Sequence, residues 1–331
     1  MTDTNGRSQA RRDEYVARIN RVMDYIDRHL DEPLNLKTLA AVADFSPFHF
    51  HRIFSAMVGE TLNRFIQRIR VEKAAVLLVS DTRKTITDVA FDCGYSGSAA
   101  LSRAFRETFD MSPRQWRTRS ASQGSKIGQP VGKNRHIRNK KRKDIDISLR
   151  YHEPGHHNLT WRIHMTTTGM NVNVEVKELE DLHVAYVRHI GPYKGDVALF
   201  KGLWQRLMTW AGPRGLLRFP ETQCLSVYHD DPNLTDESRL RTDVCISVPA
   251  DTAADGEIGT MTVPGGTFAV AHFEIDAHQY EEAWNLVMGD WLPESGYQCD
   301  DRLCFERCLN NPEEHPEGKH IVDICIPVRP L

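Results

Sequence analysis

Two textures divide the chain. From Tyr15 to about Arg119, apolar residues recur three and four positions apart, as in Ile19, Val22, Met23 and Ile26 and again in Leu62, Phe65, Ile66 and Ile69. That spacing lines one face of a helix, so this part is predicted to be all-helical. Beyond Met170 the pattern shifts to short β-rich runs, "VAYVRH", "CLSVYH", "TDVCISV", "FAVAHF" and "VDICIPV", with helical stretches around Phe200 to Trp210 and Tyr280 to Trp291. Between them, Ser120 to about Thr168 is polar and basic ("SASQGSKIGQPVGKNRHIRNKKRKD") and reads as a tether, with "DISLRYHEP" a candidate for local order.

Within the helical part, start and stop signals come in a repeated order. Ser46-Pro47 opens a helix after the short apolar run of Leu36, Leu39 and Ala40; Ser46 caps free amides, and proline suits the first helical position because no partner awaits its missing N–H. Thr85 and Asp88 have the spacing of a capping box, and Gly94 suits the positive φ that ends a helix. Ser112-Pro113 starts a closing helix in which Trp116 packs back. Two helix-turn-helix units follow, their separation set by the long helix from about Thr61 to Val79.

The β-rich part repeats itself. Asp243-Val244-Cys245-Ile246 recurs 80 positions later as Asp323-Ile324-Cys325-Ile326, and Asp231-Pro232 recurs as Asn311-Pro312. "LMTWAGPRG" resembles "VMGDWLPESG", which pairs Trp210 with Trp291. Each copy reads strand, helix, strand, strand. Two such copies bury their sheets against their own helices and meet about a pseudo-twofold axis, a natural place for a cleft.

Charge sharpens the division. Residues 1–165 hold 29 Lys+Arg against 18 Asp+Glu, and residues 166–331 hold 13 against 27, so a total of −3 conceals halves of +11 and −14. A basic helical half suits a polyanion, and an acidic half repels one or attracts cations. The N-terminus has no apolar signal core and no run of about 18 apolar residues occurs, which predicts a cytoplasmic protein without membrane contact. Seven scattered cysteines fit reduced thiols better than a disulfide framework.

Candidate chemistry centres on "LCFERCLNNP". If Leu303 to Leu309 is a strand, Cys304, Glu306 and Cys308 share one face, and the repeat-related strand offers Cys224, Ser226 and Tyr228. A carboxylate there must be hydrogen-bonded, protonated or held ready for a cation. Trp291, Tyr228 and Trp210 would supply flat aromatic surface for such a cation, whereas pairing with Arg302 is the purely structural alternative. Zinc on Cys299, Cys304, Cys308, His315 and His320 is disfavoured, because Cys304 and Cys308 on one strand lie about 13 Å apart.

The helical half resembles the DNA-binding domain of the AraC family, in "FSPFHFHRIF" and "VAFDCGYSGSAALSRAFRETFDMSPRQWR". The resemblance implies two recognition helices set into successive major-groove segments. By position, Phe48, His51 and Arg52 of the first, and Ser98, Ala99, Ser102 and Arg103 of the second, face bases or backbone. The chemistry of Arg52 and Arg103 allows bidentate contacts to guanine or binding to phosphate. The C-terminal half resembles the GyrI-like small-molecule-binding domain, in "VRHIGPYKG", "YHDDPNLT", "GGTFAVAHF", "DWLPESGYQ" and "CFERCLNNPEE". This implies a basin between two repeats for amphipathic, often cationic aromatic ligands, with Glu306 as the counter-charge. Some relatives of this type open strained rings, but Cys308 stands where they commonly carry tyrosine.

The expected architecture is therefore multidomain. It consists of an all-α double helix-turn-helix domain (14–119), a basic polar linker (120–170) and a duplicated α+β GyrI-like domain (171–331). The expected function is a transcriptional regulator that binds double-stranded DNA and a small-molecule effector, with RNA polymerase a further partner. No catalytic residue, cofactor or metal is called for. The alternative is a GyrI-like hydrolase of strained-ring aromatic compounds fused to a DNA-binding domain.

Overall fold

The structure is a computed structural model that describes residues 3–122, 145–147, 163–165, 173–230 and 235–331. It forms two compact units. One gathers Met1–Glu14, Phe45–Met57 and Thr168–Leu331; the other gathers Tyr15–Asp44 and Val58–Thr167. The division differs from the expected domain boundaries in grouping both residues 1–14 and residues 45–57 with the C-terminal half.

Seven helices come first: α1 (Asp3–Arg28), α2 (Leu36–Ala43), α3 (Pro47–Val58), α4 (Leu62–Ser80), α5 (Ile86–Asp92), α6 (Ser98–Phe109) and α7 (Pro113–Ser122). Their ends follow the local signals. The Thr85 hydroxyl accepts from the Asp88 amide at 3.1 Å while the Asp88 carboxylate accepts from the Thr85 amide at 2.9 Å, a complete capping box. Ser46 Oγ accepts from the Phe48 amide at 3.2 Å. Around the second helix-turn-helix, α4, α5 and α6 enclose Leu78, Val89, Ala90, Leu101 and Phe105, and Trp116 of α7 closes this core. Its indole N–H donates to the Ala75 carbonyl at 3.1 Å, and its ring meets Phe105 and Phe109.

Within the stretch expected to be a tether, β1 (Ile145–Ile147) and β2 (Ile163–Met165) form a small antiparallel pair. The basic run from Lys133 to Lys143 lies outside the described residues.

The C-terminal part forms one antiparallel sheet from β3 (Val174–Leu179), β4 (Leu182–Ile190), β5 (Cys224–Tyr228), β6 (Arg241–Ser247), β7 (Ile258–Val263), β8 (Gly266–Ile275), β9 (Tyr297–Cys299), β10 (Phe305–Cys308) and β11 (His320–Pro330). The strand order is β3-β8-β11-β10-β5-β6-β4-β7, with β9 paired to the end of β11. The repeat is plain: β4, α8 (Val197–Ala211), β5 and β6 form one copy. The other is β8, α9 (Tyr280–Leu286), β10 and β11, its crossover extended by a π-helical turn at Val287–Trp291 and by α10 (Leu292–Ser295). Alternation along the strands sorts the side chains. Leu225, Val227, Cys245, Phe268 and Phe305 build one core, while Val244, Ile246 and Cys224 face Leu203, Leu207 and Ala211 of α8 on the other side.

The two copies join along β5 and β10. There Glu306 is register partner to Ser226, the residue 80 positions before it. Because repeat-equivalent residues pair with each other, the pseudo-twofold axis passes between these two. The repeated aspartates also find a role: Asp243 is fully buried and takes Arg188 of β4 in a bidentate pair at 2.7 and 2.6 Å, plus His229 at 2.7 Å. Its equivalent Asp323 takes His272 of β8 at 2.8 Å. Burial raises the Asp243 carboxyl, but these hydrogen bonds outweigh it and hold the group below its usual range.

Candidate functional site

The period of two places Glu306 on the helix-covered side of β10, since its neighbour Phe305 belongs to the opposite core. Only 4% of Glu306 is exposed. Its two oxygens have different aromatic donors: the Tyr228 hydroxyl reaches Oε2 at 2.7 Å, and the Trp284 indole N–H reaches Oε1 at 2.6 Å. Burial pushes the carboxyl up to about 7, and the two donors and the Arg52 guanidinium only partly oppose this. The Tyr228 hydroxyl is pushed well above its usual value by burial and by the adjacent carboxylate. Tyr193 lies against Tyr228 at 5.5 Å between ring centroids, and Trp284 meets Tyr228 edge-on at 6.3 Å. A carboxylate is thus fixed beneath a group of aromatic rings, the arrangement that suits a cation with flat apolar surface.

Of the residues expected here, Glu306 and Tyr228 come together. The two tryptophans need correction. Trp210 on α8 donates its indole N–H to Asp255 at 3.3 Å and carries the Arg214 guanidinium on its ring. Trp291 ends the π turn, and the indole that reaches Glu306 is Trp284. A sequence signal for Trp284 existed, because the offset of 80 that relates Ser226 to Glu306 also carries Trp204 to Trp284. Arg302 does not neutralise Glu306; it pairs with Asp300 and donates to the Gly265 and Thr267 carbonyls. Cys308 sits opposite Cys224 on the neighbouring strand, its thiol driven far up by burial. Among the described residues, no group of three or more His, Cys, Asp or Glu is placed to hold a metal ion.

The candidate DNA residues divide. On α6, Ala99 and Arg103 are exposed and Ser98 and Ser102 half-buried, one helix face beside buried Leu101 and Phe105. On α3, Phe48 is 41% exposed whereas His51 is wholly buried, which removes His51 from the surface in this conformation. Arg52 is half-buried, and its guanidinium lies 4.4 Å over the ring of Trp284. No local spacing along the chain encodes that contact, which joins residues more than 200 positions apart.

A helical array built for DNA, joined to a duplicated sheet with a buried carboxylate, defines a regulator that carries its own small-molecule domain. Comparison with known proteins agrees. Residues 172–329 match the GyrI-like small molecule binding domain, and residues 39–119 match a Helix-turn-helix domain. The chain is 34% identical over 143 residues to DNA gyrase inhibitor 2 of Dickeya dadantii, a match covering 42% of this chain and 85% of that protein. It is 36% identical over 101 residues to the regulatory protein SoxS of Salmonella typhimurium, covering 30% of this chain and 94% of that protein. It is also 28% identical over 162 residues to the DNA gyrase inhibitor of Shigella boydii, covering 48% and 98% respectively. The chain belongs to the AraC family of transcriptional regulators and carries a GyrI-like domain at its C-terminal end. It is a DNA-binding regulator that senses a small molecule.

Proposed function

We propose that the sensed molecule is an amphipathic cation with aromatic surface, bound at Glu306, and that its binding is read out as altered DNA affinity. The observation that carries this reading is a buried carboxylate held by Tyr228 and Trp284 and not neutralised by Arg302. Removing the charge by Glu306→Gln is expected to weaken binding of tetraphenylphosphonium by about 1.5–3 kcal/mol, roughly 10- to 150-fold. Titration followed by tryptophan fluorescence measures it; equal affinity in the two proteins would sink the counter-charge role.

Sensing without turnover fits the same geometry. Both oxygens of this carboxylate already accept from aromatic donors, an arrangement that favours holding a cation over activating a water. Cys308, held as a neutral thiol by burial, supplies neither an acid nor a nucleophile at neutral pH.

On the DNA side, Arg103 on the exposed face of α6 is the strongest base- or phosphate-reading candidate. Arg103→Ala is expected to cost about 1–3 kcal/mol in specific binding at fixed salt, measured by gel shift with a duplex selected from a random pool. RNA polymerase is a further partner for such a regulator, tested by its retention on promoter DNA with the full chain.

A further inference from the structure

The first reading helix does not stand clear of the sensor. Within the unit that gathers Met1–Glu14, Phe45–Met57 and Thr168–Leu331, α3 lies against the mouth of the Glu306 site. Phe48, His49 and Arg52 of α3 line a small cleft together with Tyr228, Asp230 and Cys304. Three contacts hold the helix there. The Ser46 hydroxyl, at its start, donates to the Asp301 carboxylate. His49 Nε2 lies 3.1 Å from the Arg302 carbonyl oxygen, and one turn along, Arg52 covers Trp284 at 4.4 Å. The N-terminal turns of α1 add a fourth point, with Arg12 paired to Glu294 at 2.6 Å and Arg11 donating to the Ser295 carbonyl at 3.1 Å.

The chemistry of the docked helix is self-consistent. A carbonyl only accepts, so His49 carries its proton on Nε2, and Nδ1 is left to accept from the Cys304 thiol, 3.7 Å away. Burial keeps this imidazole neutral, its pKa lowered to about 4, and raises the thiol to about 12. Beside this neutral imidazole and thiol, the Arg52 guanidinium lies on the ring whose N–H grips Glu306, with Asp230 lining the same cleft. That is the position a cationic ligand would take, and Arg52 is also among the residues expected to meet DNA.

We propose that Arg52 is a built-in competitor for the sensor's cation site. Seated on Trp284, it keeps the first reading helix docked, so that a cationic ligand and DNA each favour the released state and strengthen each other's binding. The proposal rests on the cation-binding reading above and adds to it the sign of the coupling. A ligand that needs Trp284 uncovered and DNA that needs α3 uncovered share one conformational requirement. Linkage then makes their cooperation positive and reciprocal.

The test uses the full chain, a labelled duplex selected from a random pool by the wild-type chain, and tetraphenylphosphonium chloride as the probe, at fixed salt. Saturating probe should tighten DNA binding, by a factor on the order of 5–150. Asp301→Ala removes an exposed anchor of α3 without touching Glu306, and should tighten binding of both DNA and the probe. Arg52→Ala should separate the two, tightening the probe and weakening DNA, a pair of opposite signs that a merely structural role would not give. The proposal is overturned if probe weakens or leaves unchanged the DNA affinity, or if Asp301→Ala alters neither. If Glu306→Gln binds the probe as well as wild type does, the counter-charge reading fails, and the DNA affinity of Asp301→Ala still decides the docking.

Discussion

Glu306 shows how a single carboxyl acquires opposite pH signatures in folding and in binding. Its folded pKa, about 7, lies above the ordinary 4.5, because burial penalises the ionised form. The stability it contributes is complete below the unfolded value and is lost as pH rises through about 7. Melting temperature should therefore fall across that window, and Glu306→Gln should remove this component of the fall. Binding runs the other way: a permanent cation prefers the carboxylate, so affinity should rise with pH up to about 7, and complex formation should release a proton. Calorimetry in two buffers of different ionisation enthalpy measures that release; zero protons at pH 6 would contradict it. The face carrying Glu306 was legible from alternation alone, since residues two apart share a side. Its second donor was marked only indirectly, by the offset of 80 that pairs Trp204 with Trp284, and that this indole reaches Glu306 depends on how α9 is seated over the sheet.

At the scale of elements, boundaries came from short-range chemistry and were readable. Gly94 is the sharpest case. Its φ is +73°, and a Cβ there would stand 2.0 Å from the Leu30 carbonyl oxygen, beside the Arg70 guanidinium. Gly94→Ala should cost more than the roughly 1–2 kcal/mol of the left-handed conformation alone, because backbone must also move. Urea unfolding measures this, and a loss under 1 kcal/mol would argue against the close approach. Helices whose caps lie within four residues of their ends declare themselves. Less visible were the edge strands β3 and β7 and the π turn of the second crossover, which depend on pairing partners distant in sequence and not on local pattern.

Across the whole molecule, the opposition of a basic and an acidic half points to electrostatic control of DNA binding. Each phosphate neutralised contributes a slope of about −0.9 in log K against log salt. Deleting residues 133–143, which lie outside the described residues, should flatten that slope if the basic run meets DNA; an unchanged slope would assign it to solubility alone. No helix among the described residues is long and apolar enough to cross a membrane. Periodicity, caps and the 80-residue repeat sufficed to read an all-helical part with two helix-turn-helix units, a duplicated α+β part and an acidic residue at the pseudo-symmetric seam of that duplication. Each of these is written in spacings along the chain. The company that Glu306 keeps was settled in three dimensions: Trp284 from another element, and Arg52 from a helix about 250 residues earlier that linear order assigns to DNA. Contacts at such separation depend on how elements are seated against one another, and no local spacing encodes that seating.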